Sequence, residues 1–119
     1  MYKRHEIGKI GEDIATKYLC SIGYKIVNRN FECRQGELDI IARDKEELVF
    51  IEVKTRTNAQ YGSPSEAVTH LKQQNIKKVA LYYIYKYHLE KEFIRFDIVE
   101  VYVCRNKYII NHIKQATLQ

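Results

Sequence analysis

Glu37, Asp39, Glu52 and Lys54 stand at alternating positions in two runs of strand-forming residues, Glu37-Leu38-Asp39-Ile40-Ile41 and Phe50-Ile51-Glu52-Val53-Lys54. Successive side chains of a strand point to opposite faces, so Glu37 and Asp39 are expected to share one face while Leu38 and Ile40 share the other. Glu52 and Lys54 share a face in the same way. The charged run Arg43-Asp44-Lys45-Glu46-Glu47 between them suits an exposed turn that folds the second strand antiparallel beside the first. The acids and the lysine then converge.

A hard divalent cation takes oxygen ligands, and magnesium needs only one or two protein carboxylates beside waters and the phosphate oxygens of a substrate. Asp39 and Glu52 meet that need, and the backbone carbonyl of Val53 is the candidate third oxygen. Lys54 falls where it can orient the attacking water or stabilise charge on an attacked phosphate. The same alternation also describes a half-exposed antiparallel strand with its polar face in water. Such a face would as readily carry Thr, Lys or Gln, whereas three clustered acids repel one another without a cation.

The elements that must position these residues can be read in order. A helix is expected from about Glu6 to Ser21, with Ile10, Ile14, Ala15, Tyr18 and Leu19 as its apolar stripe and Gly23 as its stop signal. Tyr24 to Asn30 reads as a strand, Glu32 to Gly36 as a polar connection, and Leu48 to Thr55 completes an antiparallel meander with the Glu37 strand. Arg56 to Pro64 reads as a polar loop leaving the site, with Ser63 or Ser65 capping the next helix and Pro64 near its first turn. Thr55 and Arg56 are candidate phosphate contacts, by hydroxyl and by guanidinium. Gln60 and Tyr61 are weaker ones.

A long helix is expected from about Ser65 to Tyr87, its basic residues set among Val68, Leu71, Val79, Leu81 and Tyr82. Lys72, on the early turns, is its candidate phosphate contact. The run Tyr82-Tyr83-Ile84-Tyr85-Lys86-Tyr87 is read as covering the core and the helix end rather than as a base-stacking platform. Two strands follow, Phe93 to Val103 and Lys107 to His112, joined by a turn at Cys104-Arg105-Asn106. Asp97 is read as structural.

A chain of 119 residues is expected to form one domain, residues 1–119. Its net charge of +5 points toward an anionic partner, of which nucleic acid is the commonest. Cys20, Cys33 and Cys104 lack metal-ligand spacing and suit a reducing cytoplasm. His5, His70, His88 and His112 are scattered, so zinc is not expected and surface positions are. No window has the apolar length of a membrane span, so a soluble cytoplasmic protein without membrane association is expected.

These residues resemble the PD-(D/E)XK, or restriction-endonuclease-like, nuclease superfamily. Asp39 matches its first acid and Glu52-Val53-Lys54 its (D/E)XK element, although Leu38 stands where the eponymous proline would be. More narrowly, the chain is similar to the YraN-type family of predicted bacterial endonucleases, related to archaeal Holliday-junction resolvases. The segments that carry the likeness are Gly8-Lys9-Ile10-Gly11-Glu12-Asp13-Ile14-Ala15, Gly36 to Ile41, Phe50 to Arg56 and Arg95-Phe96-Asp97-Ile98-Val99.

The resemblance implies an α/β fold with a restriction-endonuclease-like core, a central mixed sheet flanked by helices in the order α-β-β-β-α-β-β. It implies a metal-dependent endonuclease that hydrolyses nucleic-acid phosphodiesters, DNA first and branched or junction DNA among the candidates. Asp39 and Glu52 would hold Mg2+ or Mn2+, Lys54 would assist the attacking water, and Glu37 or Glu12 would support a ligand or a second ion. Junction resolution calls for two sites in a symmetric assembly, which would make the chain a homodimer. The alternative function is a non-catalytic nucleic-acid-binding or scaffold module that keeps the nuclease fold and acts in a partner complex.

Overall fold

The computed structural model describes residues 4–57 and 70–116. The expected order of elements is found: α1 (Arg4–Ser21), β1 (Lys25–Cys33), β2 (Gly36–Asp44), β3 (Glu47–Thr57), α2 (His70–Lys86), β4 (Phe93–Cys104) and β5 (Lys107–Ile113). The five strands form one sheet in sequence order. β1, β2 and β3 run antiparallel to their neighbours, β4 runs parallel to β3, and β5 returns antiparallel to β4. The sheet is therefore mixed, because α2 lies in the connection that brings the chain back parallel to β3.

Each face of the sheet is covered by one helix. Ala15 and Leu19 of α1 pack on Ile40, Ala42, Val49, Ile51, Val53, Val99 and Val101. On the other face Ile76, Val79, Ala80 and Tyr83 of α2 pack on Phe31, Leu38, Ile41, Leu48 and Phe50. Burial on both faces makes the centre of β3 apolar without interruption from Leu48 to Ile51. The apolar stripe of α2 differs from the expected one: Leu71 and Leu81 are exposed, and the buried positions follow Ile76, Val79, Ala80 and Tyr83 at helical spacing. Tyr83 meets Phe31 and Phe50 edge-on, as the core-covering reading of the tyrosine run requires, while Tyr85 and Tyr87 are exposed.

The turns are tighter than expected. Only Arg34 and Gln35 separate β1 from β2, and only Lys45 and Glu46 separate β2 from β3. Lys45 takes the left-handed conformation that a two-residue hairpin demands, with φ 57°. Helix α1 stops at Gly23, whose φ of 100° lets the Tyr24 N–H return to the Leu19 carbonyl at 2.9 Å. Arg56 and Thr57, expected in a loop, are the last residues of β3, because β4 continues to pair with them at Tyr102 and Val103. The expected contacts at Gln60 and Tyr61, the caps Ser63 and Ser65, Pro64 and the start of the long helix before His70 lie outside the described residues.

Beneath α1 runs a polar network that the sequence reading reduced to one structural residue. Asp97 is 1% exposed and accepts hydrogen bonds from Arg95 Nε at 2.9 Å, Tyr24 Oη at 2.8 Å and the Gln115 backbone N–H at 3.2 Å. His112 Nε2 lies 2.8 Å from the same carboxylate, and His112 Nδ1 lies 2.9 Å from Tyr18 Oη. His112 is thus no surface residue. Arg95 extends the network to Tyr24, Asp44 and Glu47. Burial works against the Asp97 carboxylate, yet its bonds to His112, Arg95 and Tyr24 hold its pKa below the usual range. The network joins α1, β2, β3, β4 and β5, with Tyr24 just ahead of β1, across that side of the sheet.

Candidate functional site

Pairing between β2 and β3 ends at Ile40 with Ile51. Beyond that pair β2 stays with β1 as far as Gly36, while β3 stays with β4 as far as Thr57. The sheet therefore forks, and Asp39 and Glu52 are the first residue on each side of the fork. Asp39 Oδ2 accepts a hydrogen bond from the Val53 backbone N–H at 2.9 Å, so a side chain replaces the missing ladder partner. The N–H and C=O of one residue in a strand point to the same edge. The Val53 carbonyl accordingly faces the fork too, in keeping with its expected role as a third oxygen.

Strict alternation fails in β2 at this point. Leu38 packs under α2 whereas Ile40 packs under α1, although two residues apart they were expected on one face. With no β3 partner beyond Ile40, the β2 backbone is free to turn, and the Asp39 bond to Val53 holds the turn. Glu37 follows as an exposed residue opposite Glu32 in β1. Burial and the Asp39 and Glu32 carboxylates raise its pKa.

Asp39 is 8% and Glu52 5% exposed. Burial first, and then the hydrogen-bonded Asp39 carboxyl, push the Glu52 pKa up to about 8. Two buried carboxyl groups in contact hold either a shared proton or a cation. Lys72 of α2 supplies a cation, with Nζ 3.0 Å from Glu52 Oε1. Its ammonium is itself partly buried, which works against the charge, but Glu52, Asp39 and Glu37 together keep its pKa above the ordinary value.

Glu12 reaches the cluster from α1. Burial and then Asp39 raise its pKa, while Arg29, 3.8 Å away, opposes the rise. Arg29 also pairs with Asp13 at 2.9 Å. The approach of α1 depends on Gly11, where a Cβ would fall within the Thr55 side chain. Thr55 therefore sits against α1, on the opposite face of β3 from Glu52, and not beside Lys54 as a phosphate contact.

Lys54 is half-buried and shares the α2-facing side of β3 with Glu52. Arg56 shares that side but is 7% exposed and donates to Glu100 Oε2 at 2.7 Å, with Asn111 donating to the other oxygen at 2.7 Å. The expected phosphate contact at Arg56 is thus a buried ion pair. The parallel register sets Lys54 beside Glu100 and Arg56 beside Tyr102, so no pattern within β3 alone reveals the partner. The structure brings together Asp39, Glu52, Lys72 and Glu12, sets Lys54 on the same side of β3 as Glu52, leaves Glu37 at the rim, and turns Thr55 and Arg56 to other partners.

The donor set suits a hard cation. Carboxylates and one backbone carbonyl meet at the fork, and among the described residues no cluster of three or more His, Cys, Asp or Glu makes a ready metal cage. Magnesium takes one or two carboxylates from a protein, and Asp39 and Glu52 are two within reach of one another.

Comparison with known proteins finds relatives over nearly the whole chain. Residues 11–101 match the family described as "Uncharacterised protein family UPF0102". A UPF0102 protein of Caldanaerobacter subterraneus subsp. tengcongensis is 48% identical over 113 residues, 92% of this chain and 93% of the relative. One of Caldicellulosiruptor saccharolyticus is 44% identical over 115 residues, 95% of this chain and 98% of the relative. One of Clostridium botulinum is 48% identical over 118 residues, 97% and 96% of the two chains. The chain belongs to the UPF0102 family, the YraN-type family that its motifs resemble.

Proposed function

We propose that this protein is a divalent-metal-dependent endonuclease of the PD-(D/E)XK type, acting on DNA. The observation that carries the reading is the pair of buried carboxylates, Asp39 and Glu52, turned toward each other where β2 and β3 part, with Lys54 on the same side of β3 as Glu52. A sheet gains nothing from burying two acids in contact, and their mutual repulsion is an energetic cost that a bound cation would offset.

Asp39 and Glu52 are the residues that would hold Mg2+ or Mn2+, with the Val53 carbonyl beside them. When bound, such an ion polarises a phosphate oxygen and makes water a stronger nucleophile at neutral pH. Lys54 positions the attacking water or stabilises negative charge on the phosphorus oxygens. Glu12 enters from the opposite face and supports the Asp39 side of the cluster. The net charge of +5 favours approach of a polyanion.

The test is cleavage of labelled linear, flapped and four-way DNA with Mg2+ or Mn2+, comparing wild type with Asp39→Ala and Lys54→Ala. Cleavage by wild type that both substitutions abolish is the expected result. Equal DNA binding by all three without cleavage would replace this reading with that of a scaffold module.

A further inference from the structure

The ion pair at the fork is lopsided. Glu52 is held on a central strand with its side chain 5% exposed, whereas the Lys72 side chain is 46% exposed and reaches in from the start of α2. Its ammonium lies 3.0 Å from Glu52 Oε1 and within the field of Asp39 and Glu37. Lysine carries a compact, strongly hydrated charge on a flexible stem, so it exchanges a carboxylate for water at small cost. Glu52 has no such exit. The ammonium therefore contacts one of the carboxylates that a divalent ion would need, and like charges cannot occupy neighbouring positions there without strong repulsion.

We propose that Lys72 is the resident counter-ion of the acidic fork, seated on Glu52 in the metal-free protein, and that it gives up Glu52 when a divalent cation binds. The inference rests on the nuclease reading and deepens it. Lys72 lowers the affinity of the site for metal, and once displaced its ammonium stands at the mouth of the fork, where an entering phosphate is its next partner. Lys72 is a positioning residue for the cation rather than a structural staple of α2, which is anchored by Ile76, Val79, Ala80 and Tyr83.

The experiment is a Mg2+ titration of the full chain at mildly alkaline pH, following the Lys72 side-chain 13Cε and the Glu52 carboxyl 13C by NMR, with Mg2+ affinity measured in parallel for Lys72→Met and Lys72→Arg. Both signals are expected to move along one binding curve with a common midpoint. Lys72→Met is expected to bind Mg2+ about tenfold more tightly, and Lys72→Arg no more tightly than wild type. A Glu52 signal that moves while Lys72 does not, or a Lys72→Met affinity equal to wild type, overturns the counter-ion role and leaves the nuclease reading standing. A Glu52 signal unmoved at tens of millimolar Mg2+ overturns both.

Discussion

The Asp39 carboxylate takes the backbone N–H of Val53 at 2.9 Å, across the gap where two strands have stopped pairing. One acidic side chain thus both closes the sheet and offers its second oxygen to the fork. Asp39→Asn keeps an acceptor for that amide, so it should fold with a Tm no lower than wild type while metal-dependent cleavage falls at least about a hundredfold. Asp39→Ala leaves a buried N–H unpartnered, at a cost of about 1–3 kcal/mol, and should lose stability as well as activity. Full cleavage by a folded Asp39→Asn would remove Asp39 from the chemistry.

Glu52 gives the metal-free protein a characteristic pH dependence. Burial and the neighbouring Asp39 carboxyl raise the Glu52 pKa from its ordinary 4.5 to about 8 against the opposing Lys72 ammonium, so the ion pair with Lys72 is complete only on the alkaline side. Between those limits the folded state holds the extra proton, so this contribution to stability is complete below pH 4.5 and is lost as pH rises through about 8. Thermal unfolding followed by circular dichroism should show Tm falling by several degrees between about pH 6 and pH 9 in chelator. Glu52→Gln should flatten the profile, and millimolar Mg2+ should restore the alkaline Tm of wild type alone.

Asp97 should matter for folding rather than for cleavage. Removing its carboxylate takes the acceptor from Arg95 Nε and the carboxylate from His112 Nε2, leaving Arg95 only Tyr24, Asp44 and Glu47, and breaking a buried charge pair in this way costs about 3–5 kcal/mol. Urea unfolding of Asp97→Ala should show a loss of that order. A loss under about 1 kcal/mol would mean that the network relaxes into water.

Gly11 and Thr55 form a contact that admits no extra atom. Gly11→Ala should push α1 off β3, destabilising the protein by about 1–3 kcal/mol, and should weaken Mg2+ binding by moving Glu12 away from Asp39. Thr55→Ala removes the hydroxyl and methyl in the way, so the double variant should recover part of both losses. Additive effects in the double-mutant cycle would show that the two sites do not touch.

The acids are legible because chemistry and periodicity coincide there: Glu52 and Lys54 are charged positions at strand spacing in an otherwise apolar run. At Thr55 and Arg56 residue type alone carries the expectation. Their types suit phosphate binding, but the continued pairing of β3 with β4 turns Thr55 onto α1 and buries Arg56 against Glu100, a residue far away in the chain. The sequence offers Lys72 as a phosphate contact, and its pairing with Glu52 emerges only when α2 is laid on the sheet. The histidine at 112 carried no local signal at all, since its partners Asp97 and Tyr18 come from β4 and α1.

By itself the sequence determined the order of helices and strands and the presence of an acidic pair with its lysine, because hydrophobic period and turn residues act over a few neighbouring positions. Only the tertiary structure decided where pairing between β2 and β3 ends, and with it the fork, the turn at Asp39 and the ion pair of Lys72. Those features depend on which strands remain bonded beyond Ile40 and Ile51 and on how two helices seat on opposite faces. They are properties of long-range packing, to which no single stretch of residues contributes more than one side.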